Sequence, residues 1–316
     1  MQIGDAATPF RSATDRHIRL PIGRVRRKLT GRNIPFGHPP RRAAWFRRAQ
    51  HARYCNICGW SGLAFLGIEH SESNRCEQCG SIARDRFNFY VGFNSEHVRL
   101  GAVVIETSPR LGLDYLRAMK RLYSFRTGDY DASAHVADMF LDLQDMSLPS
   151  DSVDLFTTAH VLEHVPDPRA AAKDLARVLK PGGRAVVAIP LLNGKTRKPS
   201  EPEYHEDNTL VHWRFGWDLQ ELLESAGLTV EIMVTEPFEQ VLEAGVWSGA
   251  VSGEYELPSI LAEAPAVKSV LGRRTAEMLG LNPSYQIVAF VCKNLSVHEF
   301  TRRYHCVCNY TAKITT

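Results

Sequence analysis

The run Asp154-Leu155-Phe156-Thr157-Thr158-Ala159-His160-Val161-Leu162-Glu163-His164-Val165-Pro166-Asp167-Pro168 decides the fold, together with Arg177-Val178-Leu179-Lys180-Pro181-Gly182-Gly183 a short way on. Asp151 to Thr158 reads as a strand. Asp167 then stands where a helix needs an N-cap, and Pro168 fits the first helical position, where a missing N–H costs nothing. Ala171, Leu175, Val178 and Leu179 fall on one helical face. Lys180-Pro181-Gly182-Gly183 stops the helix, and Ala185 to Pro190 is a continuous apolar run, as a strand buried on both faces requires.

The same alternation extends outward. Gly101 to Glu106 reads as a buried strand and Leu122 to Phe125 as a weaker one. Leu219, Leu222, Leu223 and Ala226 repeat the helical stripe, with Gly227 as its stop. Leu228–Val234 and Gln286–Lys293 supply two late strands, and a helix is expected near Arg274–Leu279 inside an insertion of residues 238–283. Strands alternating with helices imply an α/β, doubly wound sheet, which binds its ligands at the carboxyl ends of the strands.

Four of the seven cysteines come as two pairs, Cys55-x2-Cys58 and Cys76-x2-Cys79, separated by 17 residues. Two such turns can bring four thiolates around one ion, so Cys55, Cys58, Cys76 and Cys79 are candidate ligands of a structural zinc. His70 could stand in for one thiolate. Gly59 and Gly80 follow the second cysteine of each pair, where a knuckle favours positive φ. Disulfides are the rival reading, which nothing secretory in the sequence supports. A module of about residues 53–86 is too short to hold a fold without metal.

The chain has 316 residues, 44% hydrophobic and 23% charged, and a net charge of +3. Residues 1–50 carry 12 Lys and Arg against Asp5 and Asp15, a net +10, so the other 266 residues carry 26 basic and 33 acidic side chains, a net −7. A basic, unstructured arm is thus joined to a mildly acidic body; such an arm suits nucleic acid, an anionic surface or solvent. The longest apolar stretch, Ala185 to Leu192, is far short of the ~20 residues that cross a bilayer, and the expected location is cytoplasmic.

The Asp154–Asp167 run followed by Arg177–Gly183 resembles the class I S-adenosylmethionine-dependent methyltransferases, and within them the type 11 methyltransferases. The cysteine pairs followed by Cys79-Gly80-Ser81-Ile82-Ala83-Arg84-Asp85-Arg86 resemble a subgroup with a zinc-ribbon-like segment ahead of that domain. The resemblance implies a Rossmann-like, seven-stranded sheet with the last strand antiparallel. It also implies a division into arm (1–50), four-cysteine module with connecting helix (51–97), methyltransferase domain (98–294) and tail (295–316).

The resemblance places S-adenosylmethionine on the loops after the first four strands. The first loop is Glu106-Thr107-Ser108-Pro109-Arg110-Leu111-Gly112, where Ser108 and Arg110 replace two glycines of the family pattern. Glu106 would face the methionine ammonium, with Thr107, Ser108 and Gly112 along the ligand. Asp129 would accept from the ribose hydroxyls, with Asp131 as the fallback. Asp142 and Leu143 would meet the adenine, and His160 would border the methionine end. Glu163 and His164 read as capping and packing residues, with a divalent ion as the lesser alternative. Candidate bases lie in His205-Glu206-Asp207 and at His212, beside Arg214, but no catalytic residue is assigned. The implied reaction moves the sulfonium methyl group to an oxygen or nitrogen of a small-molecule, glycan or lipid-linked acceptor. RNA methylation through the basic arm, and a non-catalytic binding domain with an altered cofactor loop, stay open as alternatives.

Overall fold

A computed structural model of the chain describes residues 53–67, 74–94, 98–131, 133–205, 208–244, 257–265, 269–281 and 287–295. The basic segment 1–50, His70, Glu206, Asp207, Gln286, Cys306, Cys308 and the tail beyond residue 295 lie outside the described residues.

The chain opens with a short antiparallel pair, β1 (Arg53–Tyr54) and β2 (Ser61–Gly62), and a helix, α1 (Ala83–Phe93). The alternation then runs β3 (Val103–Thr107), α2 (Leu113–Leu122), β4 (Ser124–Asp129), β5 (Met139–Phe140), β6 (Val153–Ala159), a 3-10 turn at Leu162–His164, α3 (Pro168–Val178) and β7 (Leu179–Ala188). A hairpin, β8 (Glu203–Tyr204) and β9 (Leu210–Val211), precedes α4 (Leu219–Ser225) and β10 (Leu228–Thr235). The remainder is α5 (Glu236–Ala244), α6 (Leu257–Ala262), β11 (Ser269–Leu271), α7 (Arg273–Leu279) and β12 (Val288–Asn294).

One sheet holds eight of these strands in the order β11-β10-β12-β7-β6-β3-β4-β5. β12 runs antiparallel to both neighbours, and the other pairings are parallel. The seven expected strands are therefore present with the last one reversed. An eighth, β11, is added at the edge beside β10 out of the 238–283 insertion. Apolar layers cover both faces. The face carrying α3 and α4 includes Leu175, Val178, Leu219 and Leu223, and the face carrying α1 and α2 includes Phe87, Phe89, Tyr115 and Met119.

The start of α3 forms as its chemistry requires, but Leu179, expected on the helical face, and Lys180 to Gly183, expected as the stop, belong to β7, where Leu179 pairs with Val153. The Asp167 side chain accepts from the backbone N–H groups of Arg169 and Ala170, at 3.0 and 3.1 Å, a cap worth ~1 kcal/mol. Gly182 sits at φ +82°, and a Cβ on Gly183 would lie 2.8 Å from the carbonyls of Lys180 and Val153, so neither position admits a larger residue without a shift. The expected weak strand at Leu122–Phe125 begins later. Leu122 is the last residue of α2, whose 3.6-residue periodicity buries Tyr115 and Met119, and pairing starts at Ser124.

The insertion also has a definite seat. Its α7 meets the cysteine module: the Asn74 amide donates to the Gly280 carbonyl at 3.2 Å and Arg86 Nε to the Leu279 carbonyl at 2.7 Å. Gly280, at φ +65°, ends α7, and a Cβ there would run into the Phe65 ring at 2.6 Å.

Candidate active site and four-cysteine cluster

The four cysteine sulfurs converge. All lie within 4.8 Å of one another, Cys55 Sγ is 3.6 Å from Cys79 Sγ, and Cys58 Sγ is 3.7 Å from Cys76 Sγ. Four thiolates about 2.3 Å from a tetrahedral zinc stand about 3.8 Å apart, so the spacing fits zinc, whereas disulfide sulfurs stand about 2.05 Å apart. Each knuckle closes as anticipated: Gly59 and Gly80 donate to the carbonyls of Cys55 and Cys76 at 2.8 and 2.9 Å, with φ of +79° and +74°.

Arg86 supplies an independent test of that fit. Its guanidinium is fully buried and donates to the carbonyls of Ser81, Asn74 and Leu279 and to the Asn74 side chain, while stacking 3.7 Å over the Phe65 ring. Burial lowers its pKa, and the nearby sulfurs of Cys55 and Cys76 oppose that. Zinc held by four thiolates carries excess negative charge, and a buried cation bonded to neutral acceptors is the complement it needs.

At the carboxyl ends of β3 and β6 lies a partly open cavity. Glu106, Thr107 and Ser108 line its floor, Arg110 and Leu111 one side, and α1 covers it with Arg84, Asn88 and Phe89. Register accounts for the floor. Thr107 pairs with Gly128, and Ser108 N donates to the Gly128 carbonyl at 3.0 Å, which turns the chain sharply as it leaves the sheet.

Ser108 makes that turn at φ +46°. Arg110, at the other replaced glycine, has no positive φ and projects to solvent, so only one of the two lost glycines leaves a backbone cost. Ser108→Gly should raise the melting temperature by roughly 2–4 °C, the worth of ~1 kcal/mol of left-handed strain. An unchanged melting temperature would show that the serine side chain offsets its backbone.

Glu106 accepts a hydrogen bond from Tyr115 Oη at 2.6 Å. Burial pushes its carboxyl up to about 7, against the lowering effect of Tyr115. Asn88 faces the cavity from α1, and neither its amide nitrogen nor its oxygen has a partner in the protein. A buried amide without partners is expensive unless a ligand meets it.

The other expected positions fall outside this cavity's lining. Asp129, at the end of β4, is buried and engaged: Oδ1 accepts from Asp131 N and Oδ2 pairs with His135 Nδ1, both at 2.9 Å. Asp142 closes a turn by accepting from Gln144 N at 2.9 Å. Leu143 packs in the core beside Phe156 and Leu162. Gly112 caps α2 at φ −68° with open space around its Cα.

His160 leaves β6 at φ +54°, and its Nδ1 accepts from Arg84 Nη1 at 2.8 Å. An arginine can only donate, so the ring proton is on Nε2, which is buried without a partner in the protein. Burial, with Arg84 beside it, holds the imidazole well below its usual pKa. Glu163 differs from its expected packing-and-capping role. It is 1% exposed, neither carboxylate oxygen has a hydrogen-bond partner, and burial pushes it up to about 8. His212 holds its loop through its backbone, which donates to the Glu163 carbonyl at 2.8 Å, and Arg214 bonds Glu203 at 2.8 Å.

Arg84, Asn88 and Tyr115 were not legible as cavity residues. The first two sit on the helix that links the cysteine module to the sheet, and only packing shows which face of it turns inward.

Residues 111–187 match the family model described as a methyltransferase domain. No curated protein matches. Among solved structures, the YcgJ protein of Bacillus subtilis is 16% identical, covering 42% of this chain and 64% of its own at a TM-score of 0.33. Burkholderia thailandensis 1,6-didemethyltoxoflavin-N1-methyltransferase, solved with its namesake ligand and S-adenosylhomocysteine, is 18% identical over 47% and 66%, TM-score 0.34. A Methanosarcina mazei S-adenosylmethionine-dependent methyltransferase is 13% identical over 63% and 95%, TM-score 0.38. This chain therefore spans just under two thirds of the first two. Residues 111–187, which lie within the reversed-strand sheet described above, are thus similar to a methyltransferase domain.

Proposed function

We propose that the chain transfers a methyl group from S-adenosylmethionine to an oxygen or nitrogen of a small-molecule, glycan or lipid-linked acceptor. The observation that carries this reading is the cavity at the ends of β3 and β6, whose floor is Glu106, Thr107 and Ser108. The sulfonium supplies the activated methyl group, so the protein's task is binding, alignment and exclusion of water. Glu106 meets the ammonium, Arg84 and Asn88 on α1 meet the carboxylate end, and His160 borders it. Asp129 exchanges its contact with His135 for the ribose hydroxyls, while Asp142 and Leu143 flank the adenine. Gly112 lets the chain enter α2 close to the ligand. A zinc ion on Cys55, Cys58, Cys76 and Cys79 is structural and holds α1 in place as the cover. A four-thiolate zinc cluster suits a reducing compartment, the cytoplasm. No helix among the described residues is long and apolar enough to cross a membrane.

Calorimetric titration of the zinc-loaded chain with S-adenosylmethionine tests the reading; absence of binding at millimolar ligand would sink it. Asp129→Ala should weaken binding by about 1.5–3 kcal/mol, the loss of charge-assisted hydrogen bonds. Unchanged affinity would remove Asp129 from the site.

Glu106 gives binding a proton signature. With its pKa near 7 it is mostly protonated at pH 6. An ammonium placed beside it favours the carboxylate, so binding at pH 6 should release up to ~0.9 proton. Titration in buffers of different ionisation enthalpy measures that release, and Glu106→Gln should abolish it. In the free protein the raised pKa has the opposite consequence. Its stabilising contribution is complete below pH 4.5 and is lost as pH rises towards 7.

A further inference from the structure

A second group of ligand-type side chains lies apart from the four cysteines and outside the lining of the cavity. Glu163, His164 and His205 each present one ligand atom, all within 4.8 Å of one another. Two separate elements of the chain deliver them. Glu163 and His164 come from the 3-10 turn just after β6, and His205 from the turn of the β8–β9 hairpin. The hairpin turn is set by its backbone: His205 N donates to the Thr209 carbonyl at 3.0 Å and Asn208 N to the His205 carbonyl at 2.9 Å.

Three further features mark the group as more than a chance meeting of polar residues. His164 Nδ1 bonds the Leu210 carbonyl at 2.8 Å. That fixes the ring and turns Nε2 towards Glu163 Oε1, 4.0 Å away, as an outer hydrogen bond orients a metal-binding imidazole. The His164 and His205 rings stand edge to face, centroids 4.7 Å apart. Glu163 is 1% exposed and both its oxygens lack hydrogen-bond partners, so a carboxyl group is held out of water facing two imidazoles. A buried polar group is costly unless it is hydrogen-bonded or binds a ligand.

We propose that Glu163, His164 and His205 form a second metal site, separate from the four cysteines, for a divalent first-row transition ion. Two imidazoles and one carboxylate select such ions over magnesium or calcium, which prefer oxygen ligands throughout. Ligand bonds of about 2.1 Å would bring neighbouring ligand atoms to about 3 Å, a closure of about 1 Å from the 4.0 Å seen between Glu163 and His164. Three protein ligands leave further positions on the ion open to water or to oxygens of another molecule. The site lies at the carboxyl end of β6, on the turn that follows His160. It does not depend on whether the cavity binds S-adenosylmethionine.

The experiment uses the full chain with the cysteine site already saturated by zinc. Mn2+ is titrated in, and the free ion is followed by its paramagnetic resonance signal; Co2+ is then followed by visible absorption. One Mn2+ should bind per chain. Co2+ should give ligand-field bands without the intense charge-transfer band of thiolate ligation, which separates this site from the cysteines. His205→Ala, a change at an exposed residue, and Glu163→Gln should each weaken Mn2+ binding at least tenfold while zinc content and melting temperature stay within those of the parent. If Glu163→Gln fails to fold, His205→Ala decides alone. No Mn2+ or Co2+ retained by the zinc-loaded parent, or binding unchanged in His205→Ala, would overturn the proposal.

Discussion

Replacing Cys58 and Cys76 together by serine is expected to release the zinc, unfold the segment from β1 to the start of α1, and abolish S-adenosylmethionine binding. Structural zinc contributes about 10–16 kcal/mol to folding of small thiolate modules. The segment has little else to fold around: β1 and β2 are two residues each. What makes the loss reach the cavity is α1. Asn56, inside the first knuckle, donates to the Arg86 carbonyl of α1 at 2.8 Å, and Ile57 lines the cavity beside Arg84 and Asn88. With α1 unseated, the cavity is open and His160 loses its Arg84 partner. Metal analysis, far-ultraviolet circular dichroism and calorimetry check the three parts in turn. A parent protein with no zinc would remove the premise. A zinc-free variant that binds the cofactor as tightly as the parent would show that the module and the cavity are uncoupled.

Arg86→Met is expected to destabilise the chain by about 3–5 kcal/mol, the range seen when one partner of a buried charged group is removed. Methionine can fill the tunnel beside Phe65 but donates nothing. The carbonyls of Asn74 and Leu279 then lose the Arg86 donor, at roughly 1–3 kcal/mol each, while Ser81 keeps the Cys76 N–H at 2.8 Å. Arg86→Lys should fare little better, because a single ammonium cannot reach acceptors that the planar fork spans from both sides. Because two of those acceptors flank the cysteines and one ends α7, zinc retention should fall together with stability. Urea unfolding of the zinc-loaded variants reads this directly. A midpoint within error of the parent would mean that the guanidinium neither balances the thiolates nor joins α7 to the module.

How far the sequence carried depends on the range of the interactions concerned. Asp167 and Pro168 announced α3 because a cap and a first-turn proline act within four residues. Gly59 and Gly80 announced the knuckles because a positive φ is a local demand. The four-cysteine cluster was legible from spacing alone, since a Cys-x2-Cys turn presents both sulfurs wherever it occurs. At Leu122 the same local reasoning failed by a few residues, because a helix end and a strand start share one apolar run, and burial of Met119 settles where one stops.

Contacts that are distant in sequence were not legible. Nothing local distinguishes Arg84 or Asn88 from surface residues of a connecting helix; they become cavity residues because α1 is clamped across β6 and β7. Glu163 looked like a capping residue because it sits one turn before a helix, but Asp167 takes the cap, and the fold leaves Glu163 buried facing His164 and His205. Arg86 is similar: four acceptors drawn from Asn74, Ser81 and Leu279 meet it only after the insertion returns.

Periodicity, capping chemistry and cysteine spacing are properties of neighbouring residues, and they were enough for the strand–helix alternation and the four-cysteine module, whereas the reversed last strand was an expectation from the family resemblance alone. Which faces meet is a property of packing between residues far apart along the chain. Only that packing sets the cysteine module as a cover on the cavity, adds β11 at the sheet edge, and places Glu163 beside His205.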